Sequence, residues 1–326
     1  MILNPSLESL KHCADLIKKD ELVAVPTETV YGLAGNALSE SAVRKIFEVK
    51  GRPLIDPLIV HCPDYPSALN YIESNPLIQS LAEEFWPGPL TLIAQKKAVI
   101  PDIVTAGIES VAIRVPAQKE LLQLLELCGV PLAAPSANPF GYVSPTEAAH
   151  VERTLGGKLF AILDGGRCLH GVESTIIDVR NPDAPALFRY GPLDPAALEK
   201  QLQRPLRVQL KGRGEEQAQT APGMLSKHYS PHAQVYLVEK GCTYNNAKLA
   251  GRRFAHIFLE KPNPMPEHPD CFWLTEDGCM ETAARNLFAL MQTLDAQSYS
   301  SLVFELAEEK GIGLAFNDRL KRAAAK

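Results

Sequence analysis

Short β-rich runs alternate with helical patterns along the first two thirds of the chain, and this alternation limits the possible fold more than any other feature. Candidate strands occupy residues 22–27, 57–62, 90–95, 110–116, 131–136, 160–164, 174–180 and 186–191. Candidate helices occupy residues 6–19, 41–49, 76–85, 118–128, 145–155 and 194–203. Strands interleaved with helices predict an α/β domain with a twisted, mixed sheet.

The pattern breaks at residues 211–233, a polar stretch with Gly, Pro and Gln but few aliphatic side chains, which is typical of a linker. Strand patterns resume at 233–239, 253–260 and 301–307, with helices predicted over 277–296 and 313–325. A length of 326 residues fits two domains. We therefore predict an α/β domain over 1–210, a linker over 211–233, and a smaller Rossmann-like α/β domain over 234–326.

Charge and cysteine usage narrow the class of protein. Residues 1–210 hold 19 Lys and Arg against 24 Asp and Glu, so they lack the basic surplus that supports non-specific nucleic-acid binding. Seven cysteines occur without a CxxC pair, which favours a reducing compartment over a disulfide framework. The apolar runs are shorter than a membrane span, and the first residues do not resemble a signal peptide. These features predict a cytoplasmic protein without a membrane contact.

Several common catalytic motifs are absent from the sequence. It contains no GxxxxGK[ST], no GxGxxG after a strand, no GxSxG and no HExxH. His228 and His232 are four residues apart, but Pro231 argues against the helix that would aim both at one metal ion. The chemistry is therefore expected to depend on positioning and electrostatics, with no metal site in the protein.

The stretch KGRPLIDPLIVH (50–61) suggests an anion site. Lys50 ends a helical pattern, where a cation also offsets the helix dipole. Arg52 precedes Pro53 and so lies outside the helix, where it is free to bind a phosphate or carboxylate in a bidentate manner. His61 ends the strand that follows.

Three further stretches carry hydroxyls or charges at predicted strand ends. PTETVYGL (26–33) places Thr27 and Thr29 in what looks like a strand-to-helix turn, and GVESTIIDV (171–179) leads Ser174 into a strand. In SVAIRVP (110–116), Arg114 lies on an apolar strand and needs an anionic partner if it is buried.

The loop APSANPFGYVSPTE (134–147) is rich in Pro, Gly and hydroxyl groups, which suits either a ligand-binding loop or ordinary turns. Ser144, Pro145 and Glu147 match a capping box, which predicts a helix that begins at 145 with Ser144 as its cap.

In combination and in this order, KGRPxxxPL with its histidine, SVAIRVP, PSAN, SPT and ESTI(I/V)D resemble the YrdC-like family of threonylcarbamoyl-adenylate synthases across residues 8–210. GMLSKHYSP and the ending ARNLFALMQTLD…GIGLAFNDRLKRAA resemble the long, two-domain branch of that family. The resemblance implies that L-threonine, bicarbonate and ATP, with Mg²⁺ on the phosphates, become threonylcarbamoyl-AMP and pyrophosphate. It also implies a downstream tRNA threonylcarbamoyl transferase complex that modifies adenosine 37.

The resemblance assigns roles to particular residues. Lys50 and Arg52 would be catalytic. L-Threonine would be held by Thr29, His61, Arg114, Ala134 and Ser174. ATP would be held by Arg52, Asp56, Ser110, Ser136, Ser144, Arg189 and Tyr229. Asn138 would brace its loop, and the linker would close over the site.

One position departs from the family pattern, because Asp56 stands where asparagine is usual. An ionised aspartate only accepts hydrogen bonds, and beside a triphosphate it would repel. Asp56 is therefore expected to pair with Arg52 or Lys50, to contact a nucleotide hydroxyl or amine, or to help hold the cation.

Two alternatives belong to other classes. One is an RNA-binding accessory module, against which the acidic balance of residues 1–210 weighs, although a weak RNA contact stays open. The other is the YrdC-like module of hydrogenase-maturation proteins, whose zinc-finger and acylphosphatase segments this chain lacks.

Overall fold

Eleven strands form the sheet of the first domain. A computed structural model describes residues 1–210, 212, 214, 217–224, 229–242, 253–266 and 270–325. The strands are β1 (Ile2–Leu3), β2 (Val23–Val25), β3 (Gly32–Asn36), β4 (Ile59–His61), β5 (Leu90–Gln95), β6 (Ser110–Arg114), β7 (Leu132–Ala133), β8 (Ala161–Leu163), β9 (Thr175–Asp178), β10 (Ala186–Arg189) and β11 (Arg207–Val208). Their order is β1-β8-β2-β3-β7-β4-β6-β5-β9-β10-β11, with parallel and antiparallel pairs, which confirms the predicted mixed sheet.

Seven helices of the described chain surround this sheet. They are α1 (Leu7–Lys18), α2 (Glu40–Lys50), α3 (Tyr65–Ala68), α4 (Pro76–Phe85), α5 (Lys119–Cys128), α6 (Ala148–Leu155) and α7 (Pro195–Leu202). Local signals set several of their ends. Ser39 caps α2 by accepting from the Ala42 amide, and Gly51 ends α2 in the left-handed region at φ 64°. That turn releases Arg52 from the helix, as the sequence predicts.

The second domain contains a parallel sheet of four strands. These are β12 (Gln234–Val238), β13 (Phe254–Glu260), β14 (Cys271–Thr275) and β15 (Ser301–Glu305), in the order β12-β15-β13-β14. Among the residues described there, two helices accompany them, α8 (Met280–Ala296) and α9 (Ile312–Ala324). Ala284, Leu287, Phe288 and Met291 of α8 are all buried, so the helical stripe belongs to the core. A second α/β domain is thus confirmed.

Two local predictions were wrong. The segment after Thr29 continues into β3, which pairs antiparallel with β2, so PTETVYGL is a strand-to-strand turn. The helix expected at 145 begins at Ala148 with Glu147 as its N-cap residue, and the Ser144 hydroxyl donates to Glu173 (2.6 Å). The capping box failed because a buried carboxylate from another segment is the partner of Ser144.

The sheet topology brings distant segments to one place. His61 and Arg114 are register partners at the carboxyl ends of the parallel strands β4 and β6. Ser174 precedes β9, and Arg189 ends β10, its antiparallel neighbour. Gly32 lies so close to Ala134 that a Cβ atom there would be 3.2 Å from the Ala134 Cβ. Within the described residues, no helix is both long enough and apolar enough to cross a membrane.

Candidate functional site

A cavity between the first domain and the linker gathers most of the predicted site residues. Its walls include Thr29, Arg52, His61, Arg114, Ala134, Ser136, Ser174, Arg189 and Tyr229. Pro222 and Gly223 contribute from the linker, and Glu173 contributes from the segment before β9. The linker is fixed beside the cavity by two backbone bonds, from the Gln219 amide to Ile55 O (2.8 Å) and from the Ser230 amide to Gly141 O (2.8 Å).

Arg114 is buried, and its partner in the protein is Glu28. The Arg114 Nη2 lies 2.6 Å from Glu28 Oε1, Nη1 donates to Thr29 Oγ1 (3.0 Å), and Nε donates to Gly88 O (3.1 Å). Burial would raise the pKa of Glu28, but the adjacent Arg114 charge holds that pKa below its ordinary value. Glu28 lies inside PTETVYGL but was not predicted as a site residue, because only the fold shows that it pairs with Arg114.

His61 is buried beside Arg114, and within the described chain its Nδ1 has no hydrogen-bond partner. Burial, reinforced by the Arg114 charge, lowers the pKa of His61 to about 3, so the imidazole is neutral at physiological pH. The Ala134 amide already donates to Ile59 O (3.1 Å). The imidazole therefore offers an unoccupied nitrogen to a ligand, whereas the Ala134 amide does not.

Arg189 and Ser174 form a second polar corner of the cavity. Arg189 donates through Nε to Ser174 O and through Nη2 to Ser174 Oγ, both at 2.9 Å. The Ser174 hydroxyl also shares a hydrogen bond with Thr91 (2.7 Å). Burial lowers the pKa of Arg189 to about 10, which leaves it cationic near neutral pH.

Arg52 lines the cavity and pairs with Asp56, as one of the sequence-based options proposed. The Arg52 Nη2 lies 2.9 Å from Asp56 Oδ2, and Arg52 also donates to Asp56 O (2.9 Å) and Pro57 O (2.7 Å). Asp56 is fully buried, and burial raises the pKa of its carboxyl against the opposing effect of Arg52. The loop thus fixes the guanidinium with its own acceptors.

Four predicted site residues do not line the cavity, namely Asp56, Lys50, Ser110 and Ser144. The Lys50 ammonium donates to Ser136 O (2.5 Å) and Asn138 O (2.6 Å), beneath the PSAN loop. Burial and the neighbouring Arg52 charge lower the pKa of Lys50 well below its ordinary value. Ser144 donates to Glu173, and Ser110 is buried at the start of β6. Asn138 braces its loop as expected, by donating to Pro139 O and Tyr142 O (both 2.9 Å).

The linker places Tyr229 against the cavity with its ring stacked on Phe288 of the second domain (centroids 5.5 Å apart). A Cβ atom at Gly223 would lie 3.2 Å from the Tyr229 hydroxyl and 3.4 Å from Arg189 Nη1, so glycine allows this close approach. His228 lies outside the described residues, and His232 faces Tyr142. Among the described side chains, no cluster of His, Cys, Asp and Glu could hold a metal ion.

Fold and cavity together define an α/β protein with a buried, arginine-lined site for anionic ligands. The family model described as "Telomere recombination" (Sua5, YciO and YrdC) matches residues 15–191, and "Threonylcarbamoyl-AMP synthase, C-terminal domain" matches residues 194–325. The chain belongs to the threonylcarbamoyl-AMP synthase family, in its two-domain form.

Individual relatives are similar in sequence to this chain along nearly its whole length. A threonylcarbamoyl-AMP synthase from Pyrococcus abyssi is 39% identical and covers 97% of this chain and 94% of its own length. A threonylcarbamoyl-AMP synthase from Bacillus subtilis is 35% identical and covers 97% of this chain and 92% of its own length. The crystal structure of P. abyssi Sua5 complexed with L-threonine superposes with a TM-score of 0.91 at 38% identity, covering 99% of this chain and 97% of that one. These relatives give no support to the RNA-binding alternative.

Proposed function

We propose that the protein is an L-threonylcarbamoyladenylate synthase, which converts L-threonine, bicarbonate and ATP to threonylcarbamoyl-AMP and pyrophosphate. The observation that carries the proposal is the convergence of Arg52, Arg114 and Arg189 on one buried cavity that also holds threonine and serine hydroxyls and a neutral imidazole. Three cations suit substrates that are anions at neutral pH. The relatives named above are synthases of this kind.

L-Threonine is assigned to the end of the cavity formed by Thr29, His61, Arg114, Ala134 and Ser174. The Arg114 guanidinium suits the threonine carboxylate, because a planar fork of N–H groups matches two carboxylate oxygens. The free Nδ1 of His61 supplies a neutral polar contact. A neutral imidazole adds no second positive charge beside the substrate amine, which must lose a proton before it reacts.

ATP is assigned to the end formed by Arg52, Ser136, Arg189 and Tyr229, with Asp56 behind Arg52. Arg52 and Arg189, which both line the cavity, would offset the phosphate charge. Lys50, Ser110 and Ser144 act from behind the cavity in this scheme. Lys50 holds the carbonyls of Ser136 and Asn138, so its contribution to catalysis is the shape of the PSAN loop.

The reaction needs no protein nucleophile. The threonine nitrogen adds to carbon dioxide derived from bicarbonate and loses a proton, which gives a carbamate. A carbamate oxygen then attacks the α-phosphorus, and the bond from that phosphorus to the β-phosphate oxygen breaks as pyrophosphate leaves. The arginines hold two anions together that would repel each other in water. Mg²⁺ is proposed to enter with ATP, held by phosphate oxygens and water, since the described residues offer no carboxylate cage for it.

The product is proposed to pass to a tRNA threonylcarbamoyl transferase complex that modifies adenosine 37. A reducing, cytoplasmic setting is proposed from the seven free cysteines, four of which are buried. Direct contact with tRNA would be weak, because the net charge of −5 supplies little attraction to phosphate backbones.

The decisive experiment measures pyrophosphate release by the purified protein with MgATP and bicarbonate, with and without L-threonine. We expect release that requires threonine. No release, or release indifferent to threonine, would contradict the proposal. Salt-sensitive RNA affinity without ATP turnover would instead favour the RNA-binding alternative.

A further inference from the structure

Arg319 of α9 is the largest fully buried side chain in the described part of the protein, and most of its contacts cross the domain boundary. Its Nε donates to Glu173 Oε2 (2.7 Å), and Nη2 donates to Tyr190 O (2.8 Å), both in the first domain. Nη1 donates to Asp318 of its own helix (2.7 Å). Its guanidinium carbon also lies 5.2 Å from the centre of the Tyr229 ring. One arginine of the second domain thus contacts the cavity wall at two places.

Glu173 connects this arginine to the cavity. It lines the cavity together with Arg189 and Tyr229. Its Oε1 accepts from the Ser144 hydroxyl (2.6 Å), and its Oε2 accepts from Arg319, so both oxygens are held. A carboxylate in the wall of a triphosphate site repels the ligand unless a cation neutralises it. Arg319 is that cation.

We propose that Arg319 is a positioning residue for ATP, which neutralises Glu173 and holds it and Tyr229 in the wall of the nucleotide subsite. The inference rests on the proposed function and assigns a task to the second domain. Without Arg319, the Glu173 carboxylate would lose its counter-ion. Glu173 would then pair with Arg189, and the Arg189 charge would no longer be available to the phosphates of ATP.

The contacts of Arg319 allow a role in ATP binding to be distinguished from a role in domain packing alone. Threonine is assigned to the neighbourhood of Arg114 and His61, and the contacts of Arg319 described above involve neither side chain. A loss of interface stability would weaken the binding of both substrates. A charge effect at Glu173 would weaken the binding of ATP alone, and removal of the Glu173 charge would restore that binding.

The test compares Arg319→Met, Glu173→Gln and the double variant, with ATP and threonine affinities measured by calorimetry and KM and kcat by pyrophosphate release. We expect Arg319→Met to raise the Kd and KM for ATP at least tenfold while the threonine Kd changes less than threefold. The double variant should recover most of the ATP affinity.

Arg322→Met is the matched control, because Arg322 lies one turn further along α9 and pairs with Asp318 without a bond to Glu173. We expect it to change the ATP Kd less than twofold.

Equal weakening of ATP and threonine in Arg319→Met, or a double variant no better than Arg319→Met, would overturn the proposal. Circular dichroism and thermal unfolding show whether each variant folds. If Arg319→Met does not fold, the proposal is tested with Arg319→Lys and Glu173→Gln. Both variants should bind ATP with a Kd within threefold of the wild-type value. A tenfold loss of ATP affinity in Glu173→Gln would refute the proposal that Glu173 must be neutralised. Calorimetry with ATP keeps this test separate from the proposed function, which fails if wild-type pyrophosphate release is absent or does not depend on threonine.

Discussion

Each arginine of the cavity has a distinct set of partners within the chain. Arg114 has Glu28, Arg52 has Asp56, and Arg189 has the carbonyl and hydroxyl of Ser174. A buried charge without a partner is costly, so these contacts allow the site to fold before substrate binds. Ligand anions therefore meet guanidinium groups that are already oriented, two of them by a carboxylate of the protein.

Glu28 is expected to compete with the threonine carboxylate for Arg114. Glu28→Gln should lower the free energy of unfolding by about 3 kcal/mol, because it leaves the buried Arg114 without a counter-ion. It should also enlarge the rise in Tm that L-threonine produces, because the substrate carboxylate then supplies the missing anion. Thermal unfolding with and without threonine measures both effects.

Glu21→Gln is the control for that variant, since Glu21 pairs with Lys45 at the partly exposed surface (2.8 Å). It should change the stability by less than about 1 kcal/mol and leave the threonine effect unaltered. Threonine shifts of the same size in Glu28→Gln and wild type would argue against competition at Arg114.

Asp56→Asn is expected to keep activity. The backbone acceptors at Asp56 and Pro57 still hold Arg52, and the asparagine oxygen can still accept from its guanidinium. Burial raises the pKa of the aspartate, so the neutral amide avoids the desolvation cost of that carboxylate, while Arg52 loses its counter-ion in the protein. We predict a kcat/KM for ATP within about threefold of wild type, measured by pyrophosphate release. A tenfold or larger rise in KM would show that the carboxylate itself acts on the nucleotide or its cation.

At the level of helices and strands, local patterns predicted the helices better than the strands. The predicted helix at 76–85 has the observed bounds, and that at 118–128 differs by one residue at its start. Strands β1, β3, β11 and β14 were missed. Helical periodicity and caps are local, whereas a short strand such as β3, which contains two glycines, exists because of its neighbours in the sheet.

Strand β4 makes stability depend on pH through His61. The pKa of His61 is lowered to about 3 in the folded protein and is near 6.5 when unfolded, so the unfolded chain binds a proton first as the pH falls. His61 therefore favours folding above pH 6.5, and that stability is lost as the pH falls towards 3. The loss amounts to about 1.4 kcal/mol per pH unit.

Denaturant unfolding of wild type and His61→Gln between pH 7.5 and 4.5 measures this dependence. The stability of wild type relative to the variant should fall as the pH drops below 6.5, by the slope given above. Between pH 7 and 7.5 the difference should be nearly constant, which serves as the internal control. Parallel stability curves down to pH 4.5 would show that His61 is solvated and titrates normally.

On the scale of the whole molecule, the two domains share one apolar cluster. Val30, Val143 and Val172 of the first domain are buried in the same cluster as Tyr229 and Phe288. Polar contacts surround it, such as Tyr142 to Asp295 (2.7 Å) and Gln292 to Ser144 O (3.0 Å). The first domain therefore relies on the second for part of its core, and the second domain also holds two wall residues of the cavity, Glu173 and Tyr229, through Arg319.

Truncation after residue 210 tests this dependence. Exposure of the three valines should cost roughly 5 kcal/mol, at about 1.5 to 2 kcal/mol for each side chain. We expect a lower Tm than in the intact chain, binding of a hydrophobic dye, and loss of threonine-dependent pyrophosphate release. A fragment with the Tm and turnover of the intact chain would contradict a shared core.

The sequence by itself determined the two α/β domains, most helices, and the set of polar stretches from which the site is built. Tertiary structure alone decided which charged side chains form ion pairs. Arg319 and Glu173 are 146 positions apart in the sequence, and Arg114 and Glu28 lie on separate segments that only the folded sheet brings together. Lys50 was predicted to be catalytic, but its ammonium donates to loop carbonyls 86 and 88 positions away. Periodicity and caps are local properties of a chain, whereas the partner of a buried charge depends on which segments the fold brings within 3 Å.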